Sequence, residues 1–435
     1  MTDVAGALGG ASAAASSYAQ PRAGSATTTA GATAAAAAAA AAPSAPKTDE
    51  NIATLSFELV QGNIVRFLPE SQRRAAPTAV LVHGILGSRR NLASFAHTLV
   101  EAFPSWQVLL VDLRCHGESA ASSGGGTPPD GPHSVATAAR DVLGLLRSER
   151  LFPHMLIGHS FGGKVVMSMA QQFAEACNPN DSSSSSSSSV SSQSSMDGGG
   201  DNIATTTTTT SLPRPVQVWV LDTLPGEVRQ GDISGSPRAQ RPASRLDDLE
   251  QLLEPPQSPE AAALLQQQRR DHPADLIQAL RLLPTPVPSR NAVLEHLTRA
   301  GFSAPVARWM TTNLRPAAPG GSASRELAWT FDVEGLADMY RSYEAADLWP
   351  LLERPPQGLR VDFVRAEGST FRWAGPDRGR LEALGHRVHV LRNSGHWVHA
   401  DNPMGLVELM SETFRATVDL RVRRSPAPSP QPPSN

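Results

Sequence analysis

A serine, a carboxylate and a histidine each follow a short apolar run, in that chain order. Together they are the residue types that carry out nucleophilic acyl transfer. Ser160 stands in Gly158-His159-Ser160-Phe161-Gly162, with Met155, Leu156 and Ile157 leading in. Val165, Val166, Met169, Ala170 and Phe173 recur at helical spacing on the other side. A strand, a sharp turn and a helix are the setting in which this pentapeptide lifts a serine hydroxyl into the open. A serine hydroxyl is inert near neutral pH, so an imidazole must take its proton during attack. A carboxylate on the far ring nitrogen then fixes the tautomer and stabilises the imidazolium that forms. His396, in Asn393-Ser394-Gly395-His396-Trp397-Val398-His399, is the candidate base, and His399 ranks well below it because no glycine precedes it. Asp222, ending Pro215-Val-Gln-Val-Trp-Val-Leu-Asp222, is the favoured acid. Glu367, ending the run 359–366, is its alternative. The loop His83-Gly84-Ile85-Leu86-Gly87-Ser88 leaves another buried run, and its Ile85 amide, with that of Phe161, is the expected receiver of an oxyanion.

The elements that must position these residues are strands without polar alternation, as in a parallel sheet covered on both faces. Residues 79–84 show that pattern and 106–112 read as a second buried strand; the run 155–157, 215–222, 359–366 and 386–391 read as further strands, and 54–61 with 63–69 as a hairpin. Helices are expected at 91–103, 134–150, after Ser160 and at 404–418. In open parallel sheets the C-terminal strand ends face the ligand crevice, which puts Asp222 on the same edge as Ser160. From 227 to 345 the pattern turns helical (259–283, 289–300, 303–314) and strands vanish, as in a cap over that edge. Its Leu297, Phe302, Trp309, Met310, Trp329, Phe331, Tyr340 and Tyr343 are candidates for an acyl pocket, although packing within the cap is the commoner role for each. Asp112 and His116, in Asp112-Leu-Arg114-Cys115-His116-Gly117, suggest metal or acid–base work. An Asp–Arg pairing that holds the turn is the plainer reading. Asp401 is expected to cap the last helix.

Composition narrows the function classes. Of 435 residues, three stretches are low-complexity: 1–46, with unbroken alanine from 34 to 42; 178–213, with serine at 182–189 and threonine at 205–210; and 423–435. Such sequence does not bury enough apolar surface to offset the entropy of ordering it. The remainder suits one α/β domain with an insertion: a core over 51–226 and 346–422 and a cap over 227–345. A net charge of −3 without a basic block argues against nucleic acid as a partner. Two cysteines, Cys115 and Cys177, make no disulfide framework, and Cys115 reads as a small filler. No run of about 18 apolar residues offers a membrane span. Residues 1–50 are rich in Ala, Ser and Thr and poor in acids, as in organelle transit peptides. Arg22 is their only arginine, which points to plastid import, with mitochondrion or cytoplasm as alternatives.

Four ordered motifs, HGILGS, VDLRCHGES, LIGHSFGGKVV and SGHWVHADNP, resemble those of the α/β-hydrolases over roughly residues 55–420. GHSFGGK, the Asp222 strand and GHWVHADNP are similar to the abhydrolase-domain esterase branch, with bacterial, mitochondrial and plant plastid members. The resemblance implies an α/β-hydrolase fold: a mostly parallel central sheet flanked by helices, with an inserted helical cap. It also implies hydrolysis of a small or lipid-like ester or thioester without cofactor or metal. Many members carry the acid where this chain has Glu367, whereas the branch carries it at the position matching Asp222. Two other uses of the fold remain as rivals. Dehalogenation or epoxide opening takes an aspartate nucleophile, against which Ser160 speaks, and a non-catalytic receptor would use the pocket only to bind.

Overall fold

A computed structural model describes residues 52–121, 132–177, 215–228, 271–317, 326–369, 373 and 375–424. The chain separates into two units, Met1–Thr48 and Asp49–Asn435, and the described residues all belong to the second. The expectations for 1–50, for the 178–213 insertion, for 259–270 and for the tail beyond 424 lie outside the described residues.

The central sheet is built from β1 (Phe57–Gln61), β2 (Thr78–Val82), β3 (Gln107–Val111), β4 (Pro153–His159) and β5 (Gln217–Leu221), followed after the cap by β8 (Arg360–Ala366) and β9 (Arg387–Leu391). Its order is β1-β3-β2-β4-β5-β8-β9, and only β1 runs antiparallel. The reason for the continuous apolar runs lies in the two faces. Val80, Val82, Leu109, Val111, Leu156, Val218, Val220 and Phe363 enter one core, under helices α2 (Val135–Ser148) and α3 (Phe161–Cys177) and the cap. The alternate residues Ala79, Leu81, Leu110, Ile157, Trp219, Leu221 and Val364 enter the other core, under α1 (Arg89–Ala102) and the C-terminal helix 403–424. Successive side chains point to opposite faces, so the middle of a strand covered twice is apolar on both. The buried polar residues Thr78, Gln107 and Gln217 open their strands, and Asp362 is paired with Arg387.

Between β5 and β8 come α4 (Pro273–Arg281), α5 (Arg290–Arg299), α6 (Ala304–Thr311), the short strands β6 (Leu314–Pro316) and β7 (Leu327–Trp329), and α7 (Val333–Ala345). The cap therefore contains an antiparallel pair, β6 with β7, where the sequence reading expected no strands. Three residues per strand are too few to show a period. A second correction concerns 63–69. Residues 63–66 form a helical turn, and the amides of Gly62 and Ile64 bond to Trp106 O and Pro104 O. The chain thus folds over the loop before β3, and β1 pairs with β3 rather than with its own successor.

Candidate active site

Ser160 sits at the bend between β4 and α3 with φ of 52°, a left-handed backbone that a non-glycine residue adopts only under constraint. The constraint is visible around it. Ser160 N donates to Leu221 O, and Gly163 N returns to Ser160 O. A Cβ at Gly158 would strike the Gly162 carbonyl, and one at Gly162 would strike Val82 O. The two glycines therefore let the helix start against the sheet.

β5 ends one residue before Asp222, which is fully buried at φ 47°. Its Oδ1 accepts from Ala366 N at 3.0 Å and its Oδ2 from His396 Nδ1 at 2.8 Å. With Nδ1–H committed to the carboxylate, a neutral His396 leaves Nε2 as the bare nitrogen. The loop carrying His396 is fixed from two sides. His159 Nε2–H donates to His396 O at 2.7 Å, and Asp401 Oδ2 accepts from Gly395 N at 2.8 Å. Asp401 thus holds the histidine loop rather than capping the last helix. Asn402 takes that place, its Oδ1 accepting from Gly405 N. Glu367 is exposed at the end of β8, where it accepts from Asn393 N at 2.9 Å. The structure therefore pairs His396 with Asp222 and leaves Glu367 on the loop before the histidine.

Ser160 and His396 line one cavity of about 620 Å³. His83, Gly84, Ile85 and Leu86 form one wall, and Leu276, Val306, Trp309, Tyr340 and Tyr343 of the cap form another. Trp309 of the cap meets Trp397 of the histidine loop edge-on, with ring centres 5.7 Å apart. Of the eight cap residues proposed for a pocket, Trp309, Tyr340 and Tyr343 reach it. Leu297, Phe302, Met310, Trp329 and Phe331 pack elsewhere in the core.

The family model described as "Alpha/beta hydrolase family" matches residues 79–409, from β2 into the C-terminal helix. The chain belongs to the alpha/beta hydrolase family. Among curated proteins, the sn-1-specific diacylglycerol lipase ABHD11 of Mus musculus is 40% identical over 96 residues, 22% of this chain and 28% of that protein. Its counterpart in Xenopus laevis is 32% identical over 130 residues, 29% of this chain and 36% of that protein. Esterase YbfF of Escherichia coli is 34% identical over 107 residues, 25% of this chain and 37% of that protein. The matches thus span between 28% and 37% of the length of these relatives. Among solved structures, a marine microorganism esterase aligns with 84% of this chain and 99% of its own, at 16% identity and a TM-score of 0.49.

The loop after β2 lines the same cavity as Ser160. The Ile85 amide has no acceptor among the described residues. The Phe161 amide opens α3, and the first amides of a helix have no intrahelical acceptor. Two buried imidazoles fix the Ile85 loop. His83 Nδ1–H donates to Gly84 O while its Nε2 accepts from Leu113 N at 3.1 Å. His116 Nδ1–H donates to Arg114 O while its Nε2 accepts from Leu86 N at 3.2 Å. Both rings must be neutral to accept in this way. Burial pushes both below the ordinary imidazole range, and for His116 the neighbouring His83 adds to it. His116, a candidate for metal or acid–base work by its sequence setting, forms this brace in the structure. The partners lie on separate loops, and only the pairing of β2 with β3 brings them together.

The other candidates resolve into structural parts. Asp112 does hold a turn, but with Arg89. Its Oδ1 accepts from Arg89 N, its Oδ2 from Glu118 N, and the Arg89 guanidinium closes on the same carboxylate. Arg114 instead forms a buried bidentate pair with Asp141 of α2. Cys115 is buried, and its thiol is pushed up to about 12, chiefly by burial. His399 lines the cavity, stacks edge-on against His159 at 4.7 Å, and is held down at about 4 by burial and then by His396. Its Nδ1 has no partner among the described residues.

Proposed function

We propose that this chain is a serine hydrolase that cleaves a carboxylic ester or thioester through an acyl-enzyme. The observation that carries this reading is the 2.8 Å bond from His396 to buried Asp222, in a cavity that Ser160 and His396 both line. Ser160 Oγ attacks the carbonyl carbon and its proton passes to His396 Nε2. Asp222 stabilises the imidazolium, and the Ile85 and Phe161 amides receive the oxyanion. The tetrahedral intermediate collapses as His396 returns the proton to the leaving oxygen or sulfur. Water then repeats the sequence on the acyl-serine, regenerating the hydroxyl and releasing the acid.

Substrate class follows from the cavity. Its volume suits a small-molecule ligand. Its cap wall is mainly aliphatic and aromatic, which favours a lipid-like acyl chain. The relatives, a diacylglycerol lipase and an esterase by name, point the same way. Among the described residues no helix is long and apolar enough to cross a membrane. Plastid import through residues 1–50 belongs to the same reading, and a fluorescent fusion of that segment reports it.

A fluorophosphonate probe is expected to label the wild type at Ser160, with turnover of a short p-nitrophenyl ester. Ser160→Ala should abolish labelling and lower kcat on the order of 10⁴-fold or more with the fold intact. An unlabelled, inactive wild type that still binds a ligand would support the receptor reading instead.

A further inference from the structure

We infer that Lys164 is a latch that fixes the position of the cap relative to the nucleophile-bearing helix, and through it the depth of the acyl wall. Lys164 follows Ser160 by one helical turn on α3 and is fully buried. Its Nζ donates to Gly226 O at 2.7 Å, Tyr343 O at 2.7 Å and Ala346 O at 2.9 Å. An ammonium has three N–H donors, and here three backbone carbonyls take them. Gly226 stands where the chain leaves the core for the cap, and Ala346 where it returns. One side chain of the core thus binds both hinge strands.

The surroundings support a latch rather than a chance burial. A buried charge is expensive unless hydrogen-bonded, and bonds from an ionised donor are the stronger kind. The hinge strands are also laced to one another: Val228 N bonds to Glu344 O and Leu348 N to Pro225 O. The Lys164 ammonium lies 4.6 Å from the centre of the Tyr343 ring. The Tyr343 hydroxyl meets Thr223 Oγ1, one residue beyond Asp222. Tyr343 and Tyr340 line the cavity, so a shift of α7 would move the wall against which a long acyl chain packs. Lys164 is therefore a positioning residue, and the inference rests on the acyl-ester reading above only for its effect on substrate choice.

The test combines amide hydrogen exchange with kinetics on the full chain. Lys164→Met should speed exchange at the Val228 and Leu348 amides about tenfold or more, leaving the β2 amides unchanged. KM for a p-nitrophenyl decanoate should rise about fivefold, while kcat for the acetate stays within about twofold. Gly226→Ala approaches the same latch from the hinge, because its Cβ would stand 2.7 Å from the Trp349 indole nitrogen and displace the Gly226 carbonyl. It should give the same pattern more weakly, and it decides the matter if Lys164→Met does not fold. Unchanged exchange at both hinge amides, or acceleration spread evenly through the sheet, would overturn the latch. A wild type without turnover would refute the hydrolase reading alone, since the exchange result stands without it.

Discussion

Where the parallel strands end, five described residues other than glycine hold a positive φ: Leu86, Cys115, Ser160, Asp222 and Asn393. Where the strands begin, Arg150 alone does so. Arg150 comes two residues after the last residue of α2, a position that helices often fill with a left-handed residue in order to stop. No such local rule accounts for Ser160 and Asp222, which belong to the candidate site, or for Leu86, whose loop walls its cavity. The ending edge also carries the buried imidazoles of His83, His116, His159 and His399, all pushed below the ordinary range mainly by burial. Among the described residues, the beginning edge thus carries one left-handed residue, at a helix end. The other holds strained backbone and neutral histidines in place, costing on the order of 1–3 kcal/mol per strained residue, for the sake of geometry.

The sharpest way to break this contrast is at the two carboxylates of the ending edge. Asp222→Asn should lower kcat about 10⁴-fold, whereas Glu367→Gln should stay within about threefold. Steady-state kinetics of the pair that ran the other way would move the acid to β8. Next comes acidity. Above pH 6.5 neither the folded nor the unfolded chain protonates His399. As pH falls from 6.5 to about 4 only the unfolded chain takes the proton, so stability falls, and below that the loss levels off. The share of His399 is about 3 kcal/mol. In urea titrations, the stability of the wild type relative to His399→Leu should therefore fall by about that amount as pH drops from 6.5 to about 4.

Smaller still is the effect expected at the His116 brace on the loop after β2. His116→Phe strands the Leu86 amide, and kcat should fall roughly 10- to 100-fold, less than the loss of an oxyanion donor outright, with KM little changed. An unaltered kcat would mean that the loop holds its shape without the imidazole. The least effect is expected at the beginning edge. Arg150→Gly should raise stability by up to about 1 kcal/mol without touching turnover, because glycine takes a left-handed backbone freely.

These differences explain what the sequence could and could not disclose. The strands are legible because Ala79–Val82, Val108–Val111 and Met155–Ile157, the middles of β2, β3 and β4, enter one of two cores, leaving apolar runs with no alternation. Ser160 is legible from the glycines that its turn demands. The choice between Asp222 and Glu367 is not, since both follow strands that end on the same edge. Only the path of the loop after β9, which lays His396 over Asp222 and Asn393 over Glu367, separates them. His83 and His116 are hidden for a similar reason, because the amides that their Nε2 atoms accept from, Leu113 N and Leu86 N, lie on each other's loop. Lys164 did carry a signal: a lysine inside an apolar helix face, beside two glycines, has few ways to be buried except on carbonyls.

In the proposed reaction, Ser160, Asp222 and His396 act as one unit on a carbonyl carbon. A crystal structure of the protein after reaction with an alkyl fluorophosphonate tests it most directly. The expected result is phosphorus bonded to Ser160 Oγ, the phosphoryl oxygen between the Ile85 and Phe161 amides, and His396 still donating to Asp222 with its Nε2 beside the adduct. An adduct on another residue, or a His396 ring turned away from Ser160 and bonded to Glu367, would contradict it.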